Sequence, residues 1–160
     1  MTDSISIHKV PTGLATPHNM QAAQEKLLSR FNPEKPPQVA YLQSAIDCAN
    51  SSILFALDGV HQEDIDWSTI PLEKYVGTLT LVEMITTTRI TGYIEHVVVD
   101  RRYEGKGIGE QLVRKAIEIG TINGASRFDL TSNATKDRAQ KLYKRLGFHT
   151  RDTVNWRLDI

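Results

Sequence analysis

The succession of hydrophobic patterns along these 160 residues predicts an α+β (α/β mixed) fold in which one parallel crossover sits among hairpin-connected strands. Three observations carry that prediction. Residues 77–84 and 92–99 alternate apolar and polar positions on either side of Thr86-Thr87-Thr88-Arg89, the pattern of a β-hairpin or meander. The branched strand Val97-Val98-Val99 then runs through a glycine-rich turn into an amphipathic helix and on to a further apolar strand, which is a parallel crossover. Ahead of both lie two stretches with helical spacing, set between short strands.

Residues 4–10, with Ile5, Ile7 and Val10, read as an opening strand closed by Pro11-Thr12-Gly13. Thr16-Pro17 offers a helix start, and Met20, Ala23, Leu27, Leu28 and Phe31 share one helical face before Asn32-Pro33 breaks it. Beyond Pro36-Pro37 a second face, Val39, Leu42, Ala45, Ile46 and Ala49, predicts another helix that places Cys48 as a small core residue. Residues 53–57 form a continuous apolar run, a buried strand. Residues 58–73 hold Asp58, Glu63, Asp64, Asp66 and Glu73, which read as a solvated acidic loop or, beside a cleft, as a surface facing a cation. After the hairpin come a helix over 108–119, a strand over 128–131, a helix over 136–146 and a final strand over 153–158. No internal repeat or second domain interrupts residues 1–160.

Nineteen basic and nineteen acidic residues give a formal charge of zero, so no field draws the whole chain onto nucleic acid or an anionic membrane. An anion must be held by a local site. The single cysteine and the scattered histidines (His8, His18, His61, His96, His149) offer no metal-binding spacing and no disulfide, and a cytoplasmic compartment is expected. The first residues carry no basic stretch followed by an apolar core and no apolar run approaches membrane-spanning length, so neither export nor membrane spanning is expected.

The most informative stretch is Asp100-Arg101-Arg102-Tyr103-Glu104-Gly105-Lys106-Gly107-Ile108-Gly109, which joins strand to helix. Backbone N–H groups at such a junction have no intrahelical partner and add to the positive end of the helix dipole, so they receive phosphate without net protein charge. Two common phosphate motifs fail on spacing. A dinucleotide fingerprint needs glycine where Glu110 stands, and a P-loop needs Ser or Thr where Gly107 stands. What remains is R-x-x-G-x-G, from Arg102 to Gly107.

That hexamer, the approach Ile94-Glu95-His96-Val97-Val98-Val99-Asp100, and the later Ala139-Gln140-Lys141-Leu142-Tyr143-Lys144-Arg145-Leu146-Gly147-Phe148 together resemble the GNAT superfamily of acetyl-coenzyme-A-dependent N-acetyltransferases. The resemblance covers residues 77–158 and implies a central mixed, mostly antiparallel sheet of six to seven strands flanked by helices. It also implies acetyl-coenzyme A as co-substrate, lying along Val97, Val98 and Val99 with its phosphates at Arg102, Glu104, Gly105, Lys106, Gly107, Ile108 and Gly109. Asn133 and Arg138 are carried over as further coenzyme contacts. Two positions depart from the family's pattern: Glu104 stands where a basic residue is usual, and Lys136 where an asparagine is frequent.

Acetyl transfer to an amine needs a neutral nucleophile, a stabilised oxyanion and a proton for the thiolate. Removing the proton from an alkyl ammonium of pKa about 10.4 costs about 4.6 kcal/mol at pH 7, so a carboxylate base is useful. Strand alternation places Glu95 on one face with Val97 and Val99, and His96 on the other with Ile94 and Val98. The resemblance implies that Glu95 is the base, that a backbone N–H of the 97–99 strand serves the oxyanion, and that Tyr143 is the general acid. Read without it, Glu95 suits a structural partner equally well, and Tyr143 reads first as filling core space with its hydroxyl satisfied; only its place in L-Y-x-x-L-G-F reverses that. Thr135 is a candidate cap for the Tyr143 helix, Gly147 its stop, and Trp67 and Trp156 read as core or interface aromatics. The expected acceptor is a small-molecule amine (amino sugar, amino acid or polyamine). A protein lysine or N-terminus is the alternative, a noncatalytic acyl-coenzyme-A-binding module the rival of another class, and a homodimer is left open.

Overall fold

The computed structural model describes residues 5–31 and 41–160. One sheet has the order β1-β2-β3-β4-β5, formed by β1 (Ile5–Lys9), β2 (Ser51–Asp58), β3 (Tyr75–Ile85), β4 (Ile90–Val99) and β5 (Ala125–Leu130). Neighbours are antiparallel from β1 to β4, and β5 lies parallel to β4. The sheet is therefore mixed and mostly antiparallel, with five strands among the described residues rather than six or seven. The expected strand over 153–158 does not form. Alternation makes a strand only where a neighbouring edge receives its backbone groups, and here Val154, Trp156 and Leu158 stand exposed, Trp156 to 92%. At the start of this tail Arg151 donates to Asp129 on β5 at 2.9 Å.

Two cores flank the sheet. On one face α1 (His18–Leu28) and α2 (Leu42–Asp47) bury Met20, Ala23, Leu27, Leu42 and Ile46 against Phe55, Tyr75 and Val98. On the other, α3 (Ile108–Ile122) buries Ile108, Leu112, Val113 and Ala116 against Leu54, Val76, Leu81 and Ile94, and α4 (Asp137–Arg145) adds Tyr143 at its edge. The start of the expected second helix, at Val39, lies outside the described residues. Its end comes sooner than the spacing suggested: Cys48 follows α2 in extended conformation and is exposed, not a core residue. Trp67 is buried against Phe55.

What positions the site is a bulge in β4. Thr78 pairs with Val98 but Thr80 pairs with Glu95, so β4 spends one more residue than β3 over this span. His96 absorbs the excess at φ +54°, a left-handed conformation costly for a residue bearing a Cβ. The bulge inverts the alternation that sequence predicts. Ile94, Val97 and Val99 all pack on the α3 side, Val98 packs on the α1 side, and Glu95 therefore stands opposite Val97 and Val99 rather than with them. Phe128 locks β5 beside this strand, its ring so close over Gly92 and Gly120 that a Cβ at either would come within 2.6 Å of it.

Candidate functional site

Pairing between β4 and β5 stops at Ile94 and Leu130. Beyond that point the strands part and leave a cavity of about 340 Å³, lined by Glu95, His96 and Val97 from β4, Thr131, Ser132 and Asn133 after β5, and Lys136, Ala139 and Tyr143 around α4, with Phe31 and Ile94 completing it. Residues from both faces of the sheet line this one cavity. It is thus a notch through the sheet at its parted strands, with Glu95 reached from the α1 side and Tyr143 from the α3 side.

Tyr143 is placed by rigid structure. Gly147 follows α4 at φ +90°, Phe148 N–H donates to the Tyr143 carbonyl at 3.0 Å and Gly147 N–H to the Lys144 carbonyl at 3.1 Å, the double bond of a Schellman stop. The accompanying apolar contact is between the Phe148 and Tyr143 rings, 6.0 Å apart at 68°. At the other end Thr135 is not the cap. Its hydroxyl and N–H both donate to Asn133 Oδ1 at 3.0 Å, so Asn133 organises the turn ahead of α4. Glu110, in the first turn of α3, accepts from Arg145 at 2.5 Å and from Arg114 at 2.8 Å, tying α4 to α3. Those two arginines hold its carboxyl below the usual range. Burial raises the Tyr143 phenol above its ordinary pKa, and its hydroxyl has no hydrogen-bond partner among the described residues.

The glycine turn begins with a short 3-10 turn, Arg101–Tyr103, whose N-cap Asp100 accepts from Arg102 through the backbone N–H at 3.0 Å and through Nε and a terminal nitrogen at 3.2 and 2.9 Å. Arg102, expected to meet phosphate, is thereby engaged by Asp100. Tyr103 donates to Asp58 at 2.6 Å and carries Lys106 over its ring at 4.6 Å. Gly105 and Gly107 adopt φ of +79° and +78°, and a Cβ at either would meet nothing within 4 Å. Gly107 is the N-cap of α3 without a side-chain cap, so the first-turn N–H groups, which lack intrahelical partners, receive no acceptor from the cap residue. Glu104 explains its own departure from the family pattern. It accepts from Arg30 at 2.6 Å and from Arg138 at 3.0 Å, gathering at the loop two cations from other elements. Arg30 also donates to the Val99 carbonyl.

Asp100 carries a pH signature. The hydrogen bonds from Arg102 outweigh desolvation and, with Lys26 nearby, hold its pKa at about 2, below its ordinary 3.8. A depressed carboxyl stabilises the fold above its unfolded pKa and loses that contribution as acid protonates the unfolded chain first. The expected result is that urea midpoints of Asp100→Asn fall less between pH 5 and 3 than those of the parent, which an unchanged pH slope would contradict.

Of the residues singled out from sequence, the notch brings together Glu95, Val97, Asn133 and Tyr143. Its lining does not include Val98, buried on the α1 side, nor Val99, the glycine turn or Arg138. His96, Phe31, Thr131, Ser132 and Lys136 were not foreseen. His96 joins through the bulge, and Phe31 lies past the end of α1, touching His96 ring to ring at 5.9 Å and Lys136 at 4.8 Å. None of Asp58, Glu63, Asp64, Asp66 and Glu73 lines this cavity, and Asp58 accepts from Tyr103 instead. Among the described residues no helix is long and apolar enough to cross a membrane.

The family model described as acetyltransferase (GNAT) family matches residues 21–148. Over 93 residues the chain is 32% identical to glucosamine 6-phosphate N-acetyltransferase of Trypanosoma brucei brucei, a match covering 56% of this chain and 60% of that protein. The chain spans between 17% and 61% of the length of curated relatives it matches. A crystal structure of a Trypanosoma brucei acetyltransferase superposes with a TM-score of 0.71 at 22% identity, covering 98% of this chain and 100% of that one. An aminoglycoside N-acetyltransferase in complex with CoA gives 0.72 at 14% identity, covering 99% and 97%. At these identities the likeness is one of fold.

Proposed function

Because the chain belongs to the acetyltransferase (GNAT) family, we propose that it moves an acetyl group from acetyl-coenzyme A to a primary amine by direct attack within a ternary complex. The observation that carries this reading is the notch itself: a carboxylate reached from one face of the sheet and a phenol from the other meet at a gap between strands. Two substrates entering from opposite faces can react there without a covalent enzyme intermediate.

The residues present fit the coenzyme. The open cradle at Gly105 and Gly107, the uncapped N-terminus of α3 and the cations Lys106, Arg30 and Arg138 suit a diphosphate. The parted edge of β4 suits an extended amide-bearing arm. When bound, acetyl-coenzyme A supplies an acyl carbon already activated as a thioester. Glu95 takes the proton of the incoming ammonium, directly or through water. N–H groups at the β4 bulge meet the carbonyl oxygen as it gains charge. Tyr143 holds a proton for the sulfur, and burial keeps its phenol in the neutral, donating form through the physiological range.

An amine panel with free thiol as the readout tests the assignment. Glu95→Gln should lower turnover at pH 7 by about 10²–10⁴-fold, with the deficit shrinking as pH rises toward the amine's own pKa, where no base is needed. A deficit constant across pH would remove Glu95 from proton transfer. If acetyl-coenzyme A binds and no amine is ever acetylated, the chain is a noncatalytic binding module.

A further inference from the structure

On the face that presents Glu95, alternation is intact up to the bulge, so Thr91, Tyr93 and Glu95 point the same way. Register puts Arg127 beside Thr91 and Asp129 beside Tyr93 on β5. Thr91, Tyr93, Arg127 and Asp129 line a second, open cavity of about 270 Å³, to which the hairpin turn contributes Arg89 and the C-terminal tail Arg151.

The charge there is lopsided. Three guanidinium groups meet one carboxylate, Asp129, which is engaged by Arg151 at 2.9 Å. Among the described residues Arg89 and Arg127 have no ion-pair partner. In a chain whose formal charge is zero, such an excess is local. A guanidinium presents a planar fork of donors that matches phosphate or carboxylate oxygens, and Thr91 and Tyr93 add hydroxyls to the cavity wall.

We propose that Arg89, Arg127 and Arg151 form an anion subsite of the acceptor face, so that the amine acetylated beside Glu95 belongs to a small molecule carrying a phosphate or carboxylate at its far end. The inference rests on the reading of Glu95 as facing the acceptor. Strand geometry sets the span: Tyr93 and Thr91 precede Glu95 by two and four residues, about 7 and 13 Å at 3.3 Å per residue. An acceptor whose amine and anion are separated by that range bridges the two; one with an uncharged or cationic tail leaves the arginines unanswered.

Three acceptors built on the same six-carbon chain separate the cases: 6-aminohexyl phosphate, 6-aminohexanoate and 6-aminohexanol, each assayed by thiol release with the acetyl-coenzyme-A KM measured alongside. An anionic member should show a KM at least tenfold below that of the alcohol, and whichever anion gives the lower value identifies the preferred group. Arg127→Gln and Arg89→Gln, both at exposed positions, should each bring that ratio down at least fivefold. An alcohol acetylated at equal or lower KM, or a ratio that survives both substitutions, overturns the subsite while transfer itself stands. If none of the three is acetylated, calorimetry of the two anionic compounds into the coenzyme-A-loaded chain decides separately. Binding lost in Arg127→Gln upholds the subsite even as the transfer reading falls, and no binding overturns the subsite too.

Discussion

Tyr143→Phe is expected to lower the turnover number by about 10²–10⁴-fold while the KM for acetyl-coenzyme A stays within about twofold. The substitution removes one oxygen and little else. The ring remains against Phe148, the Schellman stop is made by backbone groups, and the lost hydroxyl has no hydrogen-bond partner among the described residues, so stability should change by less than about 1 kcal/mol. In the proposed reaction that oxygen protonates the departing sulfur. A free phenol of pKa about 10 is a poor donor to a thiolate of pKa about 8.5. Inside the notch the same desolvation that raises the phenol also raises a thiol held beside it, and transfer coupled to C–S cleavage becomes feasible. Single-turnover thiol release on the variant is the direct measurement. Turnover within about threefold of the parent would remove Tyr143 from the chemistry and leave it an α4 residue packed at the edge of the core that α3 builds.

The glycine turn and the Tyr143 helix were legible in sequence because both are local: spacing alone sets a strand–turn–helix junction, and L-Y-x-x-L-G-F encodes a helix with its stop. The bulge was not. Nothing in His96 as a residue type announces φ +54°; the conformation follows from counting β4 against β3, a register known only once the strands pair. That single extra residue reverses which face Glu95 shares, so strand alternation read from the sequence alone puts its side chain on the wrong side of the sheet. The strand expected over 153–158 fails for a related reason, since alternation in Val154, Trp156 and Leu158 states a preference while an available edge decides. Glu104 is the opposite case. Read alone it subtracts a charge from the phosphate loop, yet in three dimensions it recruits Arg30, 74 residues away in sequence, and Arg138, 34 residues away.

Gly107→Val is expected to raise the KM for acetyl-coenzyme A by about a hundredfold or more while costing the fold little. The two effects come apart because the position is strained in conformation and empty in space. At φ +78° a branched side chain sits in the left-handed region, a penalty of about 1–2 kcal/mol, which for a chain of this size lowers Tm by about 2–8 °C. No protein atom lies within 4 Å of the added Cβ, so no packing clash increases that cost. The open space beside the unpaired N–H groups of α3 is where the diphosphate must come to be bound by backbone donors, and a valine fills it. Gly92→Val supplies the contrast: there a Cβ would meet Phe128 at 2.6 Å, so stability should fall further while the phosphate cradle keeps its shape. Coenzyme A titrated into both variants by calorimetry, with thermal melts in parallel, reads the two effects independently. If Gly107→Val binds coenzyme A as tightly as the parent, the cradle at the start of α3 does not hold the phosphates, and the direction assigned to the thioester through the notch fails with it.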